Sequence, residues 1–126
     1  MRRSTFMAIG ALIAFAFGLA FIVVPAQLMA LYGVALDTAG QLMGRYFGSA
    51  FLGIGVLTWL GRNAPQGDAL RAIMMGNFVL SITGLAVGVL AALSGLGNAL
   101  LWSDVAIYLL MTAGWVFFLF GGQRRS

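Results

Sequence analysis

Residues 40–53 read GQLMGRYFGSAFLG, an apolar run in which Gly40, Gly44 and Gly48 recur every four positions and a single arginine, Arg45, interrupts. If this stretch is a helix crossing lipid, the chain is a membrane bundle with a buried charge to explain. Composition favours this reading. Of 126 residues 62% are hydrophobic and 8% charged, against roughly 45–50% and about 25% in soluble domains. A chain this apolar would expose much of that surface to water, so the expected solvent is a bilayer.

The residue types that are missing narrow the chemistry. There is no cysteine and no histidine, which removes the usual ligands for zinc, haem and copper and the base of the serine and cysteine triads. There is also no lysine and no glutamate, so no P-loop lysine and no Schiff base can form. All seven cations are arginines and all three acids are aspartates. The net charge of +4 does not point to nucleic acid, because the arginines stand in pairs and singles beside apolar spans. No cofactor, no metal and no catalytic residue is expected, and the protein is not expected to be an enzyme.

Working outward from Arg45, four segments approach the roughly 20 apolar residues that a crossing needs: 6–24, 39–61, 72–93 and 99–121. Lipid offers no partner for backbone groups, so each is expected to be a helix. The alternating ten-residue segments of a membrane β-barrel are not visible. The fold class expected is all-α, an integral membrane four-helix transmembrane bundle forming one domain over residues 1–126. The connection PAQLMALYGVALDTAGQ, 25–41, carries Pro25 as a helix opener and Gly33 as a stop. It predicts a short interfacial helix after the first span, with Asp37 or Thr38 capping the second.

An even number of spans puts both termini on one side. That side would hold Arg2, Arg3, Arg62, Arg71, Arg124 and Arg125, with Asp68 as its acid; the other holds Asp37. Arginine excess marks the cytoplasmic face, so both termini are expected there. The first span could be a signal peptide, but its apolar core exceeds the 7–15 residues typical of one and no A-x-A site closes it. It is expected to stay as an anchor. FGLAFIV in span one and TGLAVGV in span three hint at duplicated hairpins.

Small residues four apart let helices approach closely in lipid. Gly40, Gly44 and Gly48 give that spacing on span two, Gly10, Ala14 and Gly18 on span one, and Gly84 and Gly88 on span three. They read as packing faces within the bundle, or alternatively as a homo-oligomer interface. The partners expected are the lipid bilayer and either another membrane protein or a second copy.

Arg45 lies roughly 9 Å into its span. Asp104 enters span four from the same side to a similar depth. A charge at mid-bilayer costs about 2.5–3.5 kcal/mol on insertion scales, and pairing removes much of that. An intramembrane ion pair between Arg45 and Asp104 is therefore the central expectation. The alternatives are that Arg45 reaches headgroups or Asp37, and that Asp104 simply occupies a first helical turn. Asp104, Tyr108 and Thr112 form one stripe on span four; Ser49 lies one turn from Arg45, and Asn77 shares a face with Ser81, Gly84 and Gly88. If these converge they form a polar seam.

The run PAQLMALYGVALDTAGQLMGRYFGSAFLGIGVLTWLGR and the later SGLGNALLWSDVAIYLL together resemble small four-span bacterial membrane proteins grouped as domains of unknown function. The likeness rests on the YGV turn, RYFGSAFLGIG and NALLW. It implies a bacterial inner-membrane setting and carries no activity. The chain lacks the membrane glutamate of small multidrug transporters and the Thr/Ser/Phe signature of small fluoride channels. Two functions remain open: a structural or accessory membrane component, and a small oligomeric transporter or channel using Arg45 and Asp104 as an intramembrane polar site.

Overall fold

A computed structural model describes residues 2–121. Among them the structure is helical throughout, with loops and no strand. Arg124 and Arg125, two of the cations used above to orient the chain, lie outside the described residues.

Helix α1 spans Arg3–Val23 and stops where Pro25 stops it. Proline offers no N–H and forces the preceding residue out of helical geometry; Val24 sits at φ −135°, ψ 58°. Pro25 then opens α2, Pro25–Leu31, at its first position. The short helix expected after the first span is there, and Gly33 ends it at φ +76°. Asp37 caps α3, Thr38–Gly61, by accepting the Gly40 amide at 2.7 Å. At the other end of α3, the Arg62 guanidinium donates to the Trp59 carbonyl at 2.6 Å and lies 3.9 Å over its ring. Helix α4 covers Asp68–Leu93, one turn longer than the apolar run alone. Asp68 can start it because a carboxylate suits the positive end of the helix dipole. Helix α5, Leu101–Val116, widens into a π-helical turn over Phe117–Gly121.

Among the described residues three stretches are long and apolar enough to cross a membrane: Arg3–Val23, Asp68–Leu93 and Leu101–Gly121. Three of the four expected spans are thus found among the described residues. Helix α3 has the length, at 24 residues. Arg45, Gln41 and its many glycines leave it less apolar than the other three.

Two antiparallel hairpins make up the molecule. In the first, α3 lies along α1: Gly48 meets Gly18, Gly55 meets Phe15, and Phe21 stacks edge-on against Phe47 at 5.0 Å. Arg3, at the start of α1, donates to the carbonyls of Arg62 at 3.4 Å and Ala64 at 3.0 Å just past the end of α3. In the second, α4 lies along α5 through Gly84 against Tyr108 and Gly88 against Val105.

The hairpins are joined most tightly at the end where Arg3 and Arg62 sit, the arginine end. There Phe6, Met7, Leu70, Met74, Trp115, Phe118 and Leu119 form the buried core. Phe6 packs edge-on to Trp115 at 4.7 Å and beside Phe118 at 5.3 Å. The larger number of residues per turn in the π-helical segment changes the angle between successive side chains, and the consecutive residues Phe118 and Leu119 are both buried in that core. One turn further in, Asn77 of α4 donates to the Thr58 hydroxyl of α3 at 2.8 Å and to its own Ile73 carbonyl at 3.0 Å.

Candidate functional site

Beyond Asn77 the hairpins part and enclose a cavity of about 570 Å³. The aromatic core closes it at the arginine end. A polar latch closes the far end. Asn98, in the turn between α4 and α5, donates its backbone N–H to the Tyr32 carbonyl at 2.8 Å and its side-chain amide to the Leu31 carbonyl at 3.1 Å. Its side-chain oxygen accepts the Leu100 amide at 2.9 Å. Next to it, Gly97 has φ +73°, and a Cβ there would come within 2.6 Å of the Tyr32 carbonyl oxygen. Only glycine fits this approach.

The cavity wall is mostly hydrocarbon. One side carries an aromatic ladder, with Phe47 against Phe51 at 4.5 Å and against Phe21. The opposite side is α4 and α5, with Ser81, Gly84, Asp104 and Tyr108 facing inward. Phe47 and Val87 line the cavity yet are 42% and 67% exposed, so it opens sideways between α3 and α4. Of the lining groups, Asp104 is the one that carries a charge. Tyr32, at the end of α2, has its phenol pushed above the ordinary range by burial and, secondarily, by the negative charge of Asp104. It therefore stays a neutral hydroxyl at physiological pH, and the field of Asp104 reaches it.

The counter-ion expected for Arg45 is not Asp104. Among the described residues the Arg45 Nε donates to the carbonyl of Ile22 at 3.1 Å, and its side chain is exposed. Asp104 has no hydrogen-bond or ion-pair partner among the described residues. Topology explains the separation. Arg45 rides on the hairpin of α1 and α3, and Asp104 on that of α4 and α5.

The end of α1 explains why an arginine stands there. A helix leaves its last carbonyls without intrahelical donors, and Pro25 removes an N–H that could have served one of them. A guanidinium at this spot supplies a donor and a positive charge at the negative end of the α1 dipole. Asp37, the other acid considered for Arg45, has its carboxylate on the Gly40 amide.

The remaining sequence candidates divide. Tyr108 and Asp104 line the cavity together, one helical turn apart. Asn77 is buried and spans α3 and α4 through Thr58, at the cavity floor. Ser49 is exposed and faces away, so no continuous seam links Arg45 to Asn77. Thr112 continues the α5 stripe as a buried hydroxyl with no partner among the described residues. Of the glycines, Gly44 and Gly48 face α1, and Gly84 and Gly88 face α5, while Gly40 touches its own cap residues Asp37 and Leu36. The latch at Asn98 and the clamp at Arg3 carried no recognised sequence signal. The missing N–H of Pro25 is the sequence feature that could have pointed to an unserved carbonyl at the end of α1.

Replacing both Arg45 and Asp104 by leucine should then cost the sum of the two single changes. Sites with no shared partner add to within about 0.3–0.5 kcal/mol. Thermal unfolding of the four proteins in detergent measures the coupling; a value above about 1 kcal/mol would restore the ion pair.

Comparison with known proteins adds one match. Residues 1–122 match the family described as Domain of unknown function (DUF8292), and the chain belongs to that family. No curated protein and no solved structure matches it.

Proposed function

We propose that this member of the family is a multi-pass protein of a bacterial inner membrane, with α3 as a fourth crossing and both termini cytoplasmic. In this reading it is a non-enzymatic membrane component that binds rather than transforms. The outer surface supports residence in lipid. Leu60, Leu90, Leu93 and Leu110 are 74%, 69%, 71% and 70% exposed, on three different helices, and soluble monomers rarely expose such continuous apolar surface.

The observation that carries the fourth crossing is the clamp of Arg3 onto the carbonyls of Arg62 and Ala64. It ties the start of α1 to the finish of α3, while Arg45 ties the finish of α1 into the first turns of α3. The helices thus share both ends, and at 1.5 Å per residue are about 31 and 36 Å long. If α1 crosses, α3 crosses beside it. Arg45 tolerates the position because it lies near the interface with a carbonyl to serve. The arginine end is assigned to the cytoplasm by arginine excess.

Single cysteines test this, and the chain has none of its own. In intact cells an impermeant thiol reagent should label Ala35→Cys and Ser94→Cys but reach Asn63→Cys only after permeabilisation. Labelling of Ala35→Cys and Asn63→Cys from the same side would remove the fourth crossing. The cavity favours a second reading, a small transporter. That reading would rest on Asp104 without Arg45, and it requires flux where the first requires only binding.

A further inference from the structure

We propose that the cavity binds an amphiphile with an ammonium head, its apolar body against the phenylalanine ladder and its head at Asp104. This deepens the reading above by naming the ligand class of the same cavity. The volume, about 570 Å³, lies within the roughly 300–1,000 Å³ of small-molecule sites. Such sites are apolar with a few placed polar groups, which describes this wall. The lateral opening at Phe47 and Val87 admits a molecule from within a bilayer, so the ligand need not pass through water.

Charge complementarity selects the head group. A carboxylate beside an apolar wall needs a cation or a set of donors. Among the described residues none supplies either to Asp104. Arg45 is turned to Ile22, while Arg3 and Arg62 are engaged with carbonyls at the arginine end. Asp104 is also not spent as a helix cap. The amides of Leu101, Trp102 and Ser103 go to the carbonyls of Asn98, Ala99 and Leu100, leaving the carboxylate to face the cavity. Tyr32 and Tyr108 border it with aromatic faces and hydroxyls, and aromatic faces attract ammonium groups as well. A neutral lipid would leave the carboxylate uncompensated, and an anion would be repelled.

The test uses the full chain in phosphatidylglycerol nanodiscs and three probes with one apolar body: diphenylhexatriene, its trimethylammonium derivative and its propionic acid derivative. Energy transfer from the tryptophans, one of which, Trp102, sits in the first turn of α5, reports occupancy over empty discs. The ammonium probe should show saturable transfer at least tenfold tighter than the neutral parent, with the acid weaker still. Asp104→Asn should erase that preference while keeping the neutral probe unchanged, and Arg45→Gln should leave it intact.

Equal binding of the ammonium and neutral probes by the unmodified chain overturns the proposal, even if Asp104→Asn fails to fold. So does a preference that survives in a folded Asp104→Asn. Phosphatidylethanolamine discs separate two sources of the head group. Loss of the ammonium signal there identifies a bilayer aminolipid as occupant, and persistence identifies a free lipophilic amine. Thiol labelling does not depend on this outcome, so the four-crossing reading can stand if the ligand class falls.

Discussion

Gly48→Leu is expected to prise the first hairpin apart and lower stability by about 3 kcal/mol, the upper part of the range for overpacking. A Cβ at Gly48 would come within 2.6 Å of the Gly18 carbonyl oxygen, 2.9 Å of the Phe21 Cβ and 3.0 Å of an Ile22 side-chain carbon. The nearest obstacle is backbone, which cannot rotate aside as the tip of a flexible side chain would. Relief therefore means moving α3 off α1 along its length. That movement also draws Arg45 away from the Ile22 carbonyl, which lies on the same part of α1. Gly53→Leu is the matched control. A Cβ there meets nothing within 4 Å, and leucine has the better helix propensity by about 0.8 kcal/mol. Thermal unfolding in one detergent should show the first variant melting well below the unmodified chain and the second at or above it. Equal melting of the two variants would mean that the glycine contact between α1 and α3 does not hold the hairpin.

Trp115→Ala should cost about 3 kcal/mol and loosen the joint between the hairpins. Trp115 is completely buried, with Phe6 edge-on to it. In water-soluble cores such truncation costs about 3–5 kcal/mol. In lipid part of the transfer free energy is absent, because lipid tails are as apolar as the core. What remains is lost dispersion contact and a ring pair of about 0.5–1.5 kcal/mol, so the low end of the range applies. The indole N–H has no partner among the described residues. Trp115→Phe removes that unpaired donor and keeps a ring, and should cost under about 1.5 kcal/mol. Chemical unfolding of both variants measures the difference, and a phenylalanine variant as unstable as the alanine one would mean that the indole nitrogen is bonded after all.

Much of the helical framework was readable in the chain because its punctuation is local. Pro25, Gly33 and Asp37 each act on their own neighbours through a missing N–H, a positive φ or a cap, and each sits at a helix boundary. Helix pairing is not local. Counting depth puts Arg45 and Asp104 at similar levels, but depth has no bearing on which helix lies beside which. The α1 glycines at 10 and 18 went to different partners, Gly18 to α3 and Gly10 to Met111 of α5. Hydropathy was similarly blunt for α3, whose arginine and glycines serve its contact with α1 at the expense of its apolar count. The cavity lies between hairpins, so no periodicity along a single helix could reveal it. Asp104 and Tyr108 were noticed as a stripe; their setting needed three dimensions.

The clamp of Arg3 onto Arg62 and Ala64 bears on how the protein is born. Every bond that fastens α1 to α3 joins residues numbered 64 or lower. The nascent chain can therefore finish its first half, bolted at both ends, while its second half is still inside the ribosome. The groups that weld the halves together, Asn77, Asn98 and Trp115 with its neighbours, are all made later. A chain cut between 64 and 68 and expressed as two pieces should still find its way home.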